Sequence, residues 1–301
     1  MTNSIRVVQH LKFIIASGLN LAPNWERIRE SAREADRLGY WGFVMPDHYM
    51  WGREYGPGQN PYSTLETWTT LSYLAAETKQ LHLGTLVTPI PFRPPSMLAK
   101  TVSTIDMISN GRTILGVGAG WSQVEFDGYS KWESNKVRVE KTEEGVQLIL
   151  KLWMEKQVDF NGKYYHAKGA VLDPKPVQKP HPPLLFGGAS PRMFRMAGKY
   201  ADICLIPAWP GLDNSAARKI VQDEARRNGR EGKLAFADMV MFPREGSKYD
   251  REQYRNSVEK AANAGSKYFI VPFPFTDFME SMRDFAKNVM PTFHSQRTLE
   301  A

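Results

Sequence analysis

At 301 residues, with 42% hydrophobic and 24% charged side chains, the chain has the makeup of a folded protein and the length of one α/β barrel. Its net charge of +7 comes from 39 Lys and Arg against 32 Asp and Glu, scattered without a polybasic run; this argues against nucleic acid and leaves room for an anionic small molecule. The one cysteine, Cys204, cannot form an internal disulfide. The N-terminus MTNSIRVVQHLKF is too charged for a signal peptide, and no apolar run nears the roughly 20 residues of a membrane span. A soluble, cytoplasmic protein with no membrane partner is expected.

In chain order, Leu11–Ser17 is a short apolar run suited to a buried strand. Asn24–Leu38 repeats Trp25, Ile28, Ala32, Ala35 and Leu38 at helical spacing, and Gly39 ends it. Trp41–Met45 makes a second strand that finishes on Pro46-Asp47-His48. Gly52–Pro61 is loop, and Thr64–Thr78 is the next helix. Leu81–Val87 is the third strand, Pro94–Ser109 its helix, and Thr113–Val117 the fourth strand, running into a glycine-spaced loop. Arg138–Lys151 is helical. Val158–Pro183 then breaks the rhythm as an inserted hairpin and connector between strands four and five.

Leu184–Phe186 restarts the alternation and ends in Gly187-Gly188. Helix Pro191–Tyr200, strand Asp202–Pro207, helix Asn214–Asn228, strand Leu234–Phe242, helix Tyr249–Ala264, strand Tyr268–Phe273 and helix Asp277–Met290 complete it. Eight strands alternating with helices predict an α/β fold of (β/α)8 barrel type, one domain over residues 1–301, with its active site at the strands' C-terminal ends.

Four of those ends stand out. Asp47-His48, with Trp51 close behind, suits a proton donor, a polar anchor for a ring or a metal ligand; the plain alternative is a capping Asp and a surface His. Gly84-Thr85-Leu86-Val87-Thr88 permits a bulge near a ligand, or an ordinary buried strand end. Gly116-Val117-Gly118-Ala119-Gly120-Trp121 alternates glycines that let a flat ring or a phosphate approach the backbone. It lacks the spacing of a dinucleotide fingerprint, and no helix opens directly after it. Glu125 and Phe126 are expected to cap or pack the following loop. Gly187-Gly188-Ala189-Ser190 leads into a helix whose N-cap is Ser190, an arrangement that offers backbone N–H groups to an anion. The six histidines form no zinc pattern and there is no Gly-x-Ser-x-Gly elbow, so no metal is expected.

Residues 83–126, from LGTLVTP through GVGAGWSQVEF, together with GFVMPDH before them and FNGKYY and PPLLFGGASPRMF after them, strongly resemble the bacterial luciferase-like flavin and deazaflavin oxidoreductases. The resemblance covers roughly residues 10–210 and implies an eight-stranded barrel, commonly a homodimer. It implies a cofactor ring over the end of strand three, with a non-proline cis peptide at Leu86–Val87 and the phosphate at Gly187, Gly188, Ala189 and Ser190. Asp47-His48 followed by a Trp, with GVGAGW, looks like the branch using coenzyme F420; FMN monooxygenases are the alternative. The chain departs from the F420-dependent glucose-6-phosphate dehydrogenases in carrying Trp121 where they have an acidic residue, which speaks against a sugar phosphate. The resulting expectation is hydride transfer between F420 and a small-molecule substrate. His48 exchanges the proton, Asp47 orients it, Trp51 and Trp121 wall the pocket, and Thr85, Leu86, Val87, Gly118 and Gly120 lie against the ring.

Overall fold

Strand and helix alternate along the chain because short apolar runs, often flanked by glycine or proline, are separated by longer amphipathic stretches. The computed structural model describes residues 11–19, 24–50, 64–243 and 246–293. The first half holds β1 (Lys12–Ala16), α1 (Trp25–Arg37), β2 (Gly42–Met45), α2 (Thr67–Glu77), β3 (His82–Thr85), β4 (Thr88–Pro89), α3 (Pro95–Ile108), β5 (Thr113–Gly118), α4 (Gln123–Tyr129) and α5 (Asn135–Met154). After the hairpin β6 (Val158–Asn161) and β7 (His166–Ala170) come β8 (Leu184–Phe186), α6 (Pro191–Tyr200), β9 (Ile203–Ile206), α7 (Asn214–Arg227) and β10 (Ala235–Met239). The series ends with α8 (Arg251–Asn263), β11 (Tyr268–Pro272), α9 (Phe278–Asn288) and α10 (Met290–Phe293).

Eight parallel strands close into a barrel in the order β3-β2-β1-β11-β10-β9-β8-β5, with β3 returning to β5, as the (β/α)8 expectation requires. The closing pair aligns Leu83 with Thr113 and Gly84 with Ile114. That contact is tight: a Cβ on Gly84 would lie 2.4 Å from the Ile114 carbonyl oxygen. The hairpin β6–β7 forms its own antiparallel sheet outside the barrel, between the fourth and fifth barrel strands, in the place the sequence indicates.

Because successive strand residues face opposite sides, the barrel has two cores. Ile14, Val44, Ile114, Leu185, Ile203, Leu205, Ala237 and Ile270 fill the lumen, and Leu86 and Val87 pack onto that cluster. Their neighbours Phe13, Phe43, Leu115, Phe186, Ile206 and Phe269 face the helices. Asn24, Ser190, Asp213 and Asp250 cap α1, α6, α7 and α8 through their side chains.

The N-terminal end of the barrel is bound together by side chains holding backbone. Arg112, just before β5, donates to the carbonyls of Ala75 (2.8 Å), Thr78 (2.8 Å), Leu81 (2.6 Å) and Ser109 (2.7 Å), so it holds the C-terminal ends of α2 and α3. Asp36 accepts the N–H groups of Lys79, Gln80 and Leu81 at 2.7–2.9 Å. The Trp41 indole stacks on His82 at 4.1 Å, with Lys12 4.9 Å above its ring. Burial, opposed by a hydrogen bond to the Trp41 carbonyl, pushes the His82 pKa down to about 4. Among the described residues no helix is long and apolar enough to cross a membrane.

Candidate active site

Strand three breaks where it reaches the barrel mouth. Leu86 N–H still bonds to the Met45 carbonyl at 2.8 Å, the Leu86–Val87 peptide is cis, and the chain then pairs with the other neighbour, Thr88 opposite Val117 and Pro89 opposite Gly118. The cis bond lies where the family resemblance places it.

The glycines after strand four answer to this bulge. A Cβ on Gly116 would lie 1.9 Å from the Thr85 carbonyl oxygen, and one on Gly118 would lie 2.5 Å from Val87 Cγ2. A Cβ on Gly120, at φ +78°, would strike the Phe126 ring at 2.5 Å. Gly187 on the next strand clears the other Val87 methyl, 2.9 Å from where its Cβ would be. The expectation that Gly118 and Gly120 open space for a flat ring is therefore corrected: their space is filled by the protein's own bulge and by Phe126. Thr85 is likewise fully buried, and its hydroxyl accepts the Gly116 N–H at 3.2 Å, so it fastens the bulge. Leu86 and Val87, part-exposed over the lumen, form an apolar floor to the mouth.

His48 stands at the rim of that floor. Its Nδ1 is 2.6 Å from Glu125 Oε2, and Trp121 meets the imidazole edge-on at 5.6 Å. The other Glu125 oxygen accepts the N–H groups of Tyr49 (2.7 Å) and Met50 (2.9 Å). Burial pushes the Glu125 carboxyl up, but His48 and the two amides outweigh it and hold the pKa below its ordinary value. An ionised carboxylate only accepts, so Nδ1 carries the hydrogen of this pair. Glu125 is brought there by α4, a short helix that the loop expected after the glycines does not include. The part of orienting His48 thus falls to Glu125, which sequence reasoning assigned to capping and packing.

Asp47 is engaged elsewhere. It accepts Arg93 Nη2 at 3.0 Å, a second Arg93 nitrogen, and the Thr88 hydroxyl at 2.8 Å; Trp68 donates to that hydroxyl at 3.1 Å. Arg93 also donates to the Tyr49 phenol at 3.0 Å. Burial works against the Arg93 charge, yet Asp47 and Tyr49 hold its pKa above the ordinary value. The expectation that Asp47 orients the His48 ring is corrected: Asp47 ties the loop after β2 to the bulge after β3. Arg93 was overlooked although PFRPP offers a signal, a lone charge inside an apolar loop.

Ser190 caps α6 through Met193 N–H at 3.3 Å, and Gly188 sits at φ +131°. Gly187-Gly188-Ala189-Ser190 therefore leads into the positive end of a helix, in direct contact with the floor through Val87. Trp51 lies outside the described residues, as does the whole of the predicted loop Gly52–Pro61. Among the described residues no group of three or more His, Cys, Asp or Glu could hold a metal ion.

Residues 9–269 match the model of the luciferase-like monooxygenases. The chain belongs to that family. Within its fold the chain is similar to an F420-dependent secondary alcohol dehydrogenase solved with an F420-acetone adduct, at 21% identity over 95% of this chain and 99% of the other, with a TM-score of 0.80. It is also similar to the coenzyme F420-dependent tetrahydromethanopterin reductase of Methanopyrus kandleri, at 18% identity, 94% and 99% coverage and TM-score 0.76. The FMN-bound oxygenating constituent of 3,6-diketocamphane monooxygenase from Pseudomonas putida follows at 14% identity, 94% and 98% coverage and TM-score 0.72.

Proposed function

We propose that this chain is an F420-dependent oxidoreductase moving a hydride between the deazaflavin and a small organic substrate. The observation that carries the reading is the His48–Glu125 pair beside Trp121, on loops at the same end of the barrel as the apolar Leu86–Val87 bulge. The site fits such a cofactor: the floor suits a flat ring, and the Gly187–Ser190 turn that abuts it suits a phosphate at a helix N-terminus. When bound, F420 would supply a two-electron hydride couple.

The chain's own residues account for the proton. A carbon that loses hydride from an alcohol leaves a hydroxyl proton to be taken up, and His48 Nε2 is the group placed to take it or return it. Glu125 fixes the tautomer and stabilises the imidazolium that results. Trp121 limits the ring's rotation from the open side. The alternative is an FMN-dependent monooxygenase, supported by the likeness to the FMN-bound enzyme. Fluorescence titration of the purified chain separates the two. F420 is expected to bind more tightly than FMN, and the opposite order would overturn the cofactor assignment.

A further inference from the structure

We infer that the substrate of this site is an uncharged, predominantly apolar organic molecule held by aromatic side chains on the loops after β9, β10 and β11. The inference deepens the oxidoreductase reading and rests on it for the reaction; the binding claim stands on the mouth alone. Those three strands are consecutive neighbours in the barrel, and each runs at its C-terminal end into an apolar segment. The segments are Pro207-Ala208-Trp209-Pro210, Val240-Met241-Phe242-Pro243 and Phe273-Pro274-Phe275. Trp209, Phe242 and Phe275 remain 57%, 54% and 49% exposed, and Trp121 across the mouth 52%. Large apolar side chains gathered on one rim and left in water mark a surface that a ligand covers. At the opposite end of the barrel Trp41, His82 and Tyr268 pack on one another and are only part-exposed.

Among the described residues the arginines nearest the mouth point the same way. An anionic substrate needs a cation to offset the desolvation of its charge. Arg93 is committed to Asp47 and Tyr49, Arg27 donates to the Phe275 carbonyl, and Arg192 lies 3.8 Å from Glu140. The α6 N-terminus is reserved, on the reading above, for the cofactor's phosphate. Lys248, exposed on the lead-in to α8, is the cation whose removal serves as the control.

The test uses the whole chain without cofactor and the uncharged naphthyl ketone prodan, whose emission moves to shorter wavelength in apolar surroundings. A saturable shift is expected. It should weaken about tenfold in Trp209→Ser and in Phe242→Ser, the scale of losing one buried aromatic contact. Both side chains are half-exposed, so the variants should melt with the wild type. Met97→Ser with Ile108→Ser, on the outer face of α3, should leave the shift unchanged, as should Lys248→Ala and excess glucose 6-phosphate. No saturable shift, full affinity in both mouth variants, loss in the α3 variant, or displacement by the sugar phosphate would each overturn the inference. A chain that binds prodan but neither F420 nor FMN keeps the apolar site and loses the oxidoreductase reading. A chain that binds F420 but not prodan does the reverse.

Discussion

The two ends of the barrel use polar side chains in opposite ways. At the N-terminal end, Arg112 and Asp36 bind main-chain groups, so each is a clasp between helix ends and strands. At the C-terminal end the bonds that join one loop to the next run chiefly from side chain to side chain, Arg93 to Asp47, Thr88 to Asp47 and His48 to Glu125, although Glu125 also accepts the Tyr49 and Met50 amides. Main-chain acceptors cannot be exchanged without rebuilding the fold, whereas side-chain partners can be replaced one at a time. One end is thereby committed to stability, and the other is open to chemical change.

Six substitutions bear on that contrast. Arg112→Ala leaves four main-chain carbonyls without their donor in a buried setting and is expected to cost ~3–5 kcal/mol, read by urea unfolding. Turnover per folded molecule should survive; if it collapsed, the two ends would not be separable. His48→Ala should lower turnover by about 10²–10³ while shifting the unfolding midpoint little. Glu125→Gln should lower turnover less, and its pH–rate profile should shift relative to the wild type, because an amide leaves the imidazolium unstabilised. An unshifted profile would reduce Glu125 to a loop cap.

Gly116→Ala sets a Cβ against a main-chain oxygen and should destabilise by ~2–3 kcal/mol. Gly118→Ala meets only a methyl of Val87 and should cost less; equal losses would show that the bulge is not what the glycines serve. The pH-dependent effect belongs to His82. Its folded pKa of about 4 lies below the ordinary value of 6.5, so the unfolded chain binds the extra proton first as pH falls. The stability it contributes is present above 6.5, declines between 6.5 and 4, and loses no more below that. His82→Gln should flatten that part of the stability profile, and an unaltered slope would show that His82 titrates normally.

Much of this was legible in the sequence. Helix α6, strand β8 and the β6–β7 insertion fall where apolar spacing, the Ser190-Pro191 cap and the alternating aromatics put them. Asp47-His48, Leu86–Val87 and Gly187–Ser190 all reach the barrel mouth. Partnership was harder to read. Glu125 follows His48 by 77 positions and reaches it only because α4, which neither its length nor its Gly128 announces, turns it inward. Asp47 looked like the natural partner because it is adjacent in sequence. Adjacent residues at a strand end point to opposite sides, so the neighbour was the one carboxylate poorly placed for the task. The glycines misled for a related reason: spacing reveals that side chains are missing, and only the fold shows what occupies their room.

Val87 has a consequence for altering this protein. Its two methyls reach toward Gly118 on one strand and Gly187 on another, so three positions share one volume. Enlarging any one of them alone produces a collision, and shrinking Val87 alone leaves a void beneath the mouth. Diversification of the floor therefore has to sample these positions jointly, with Val87→Ala accompanying a larger residue at 118 or 187. Single-site libraries would pass over the combinations that the geometry permits.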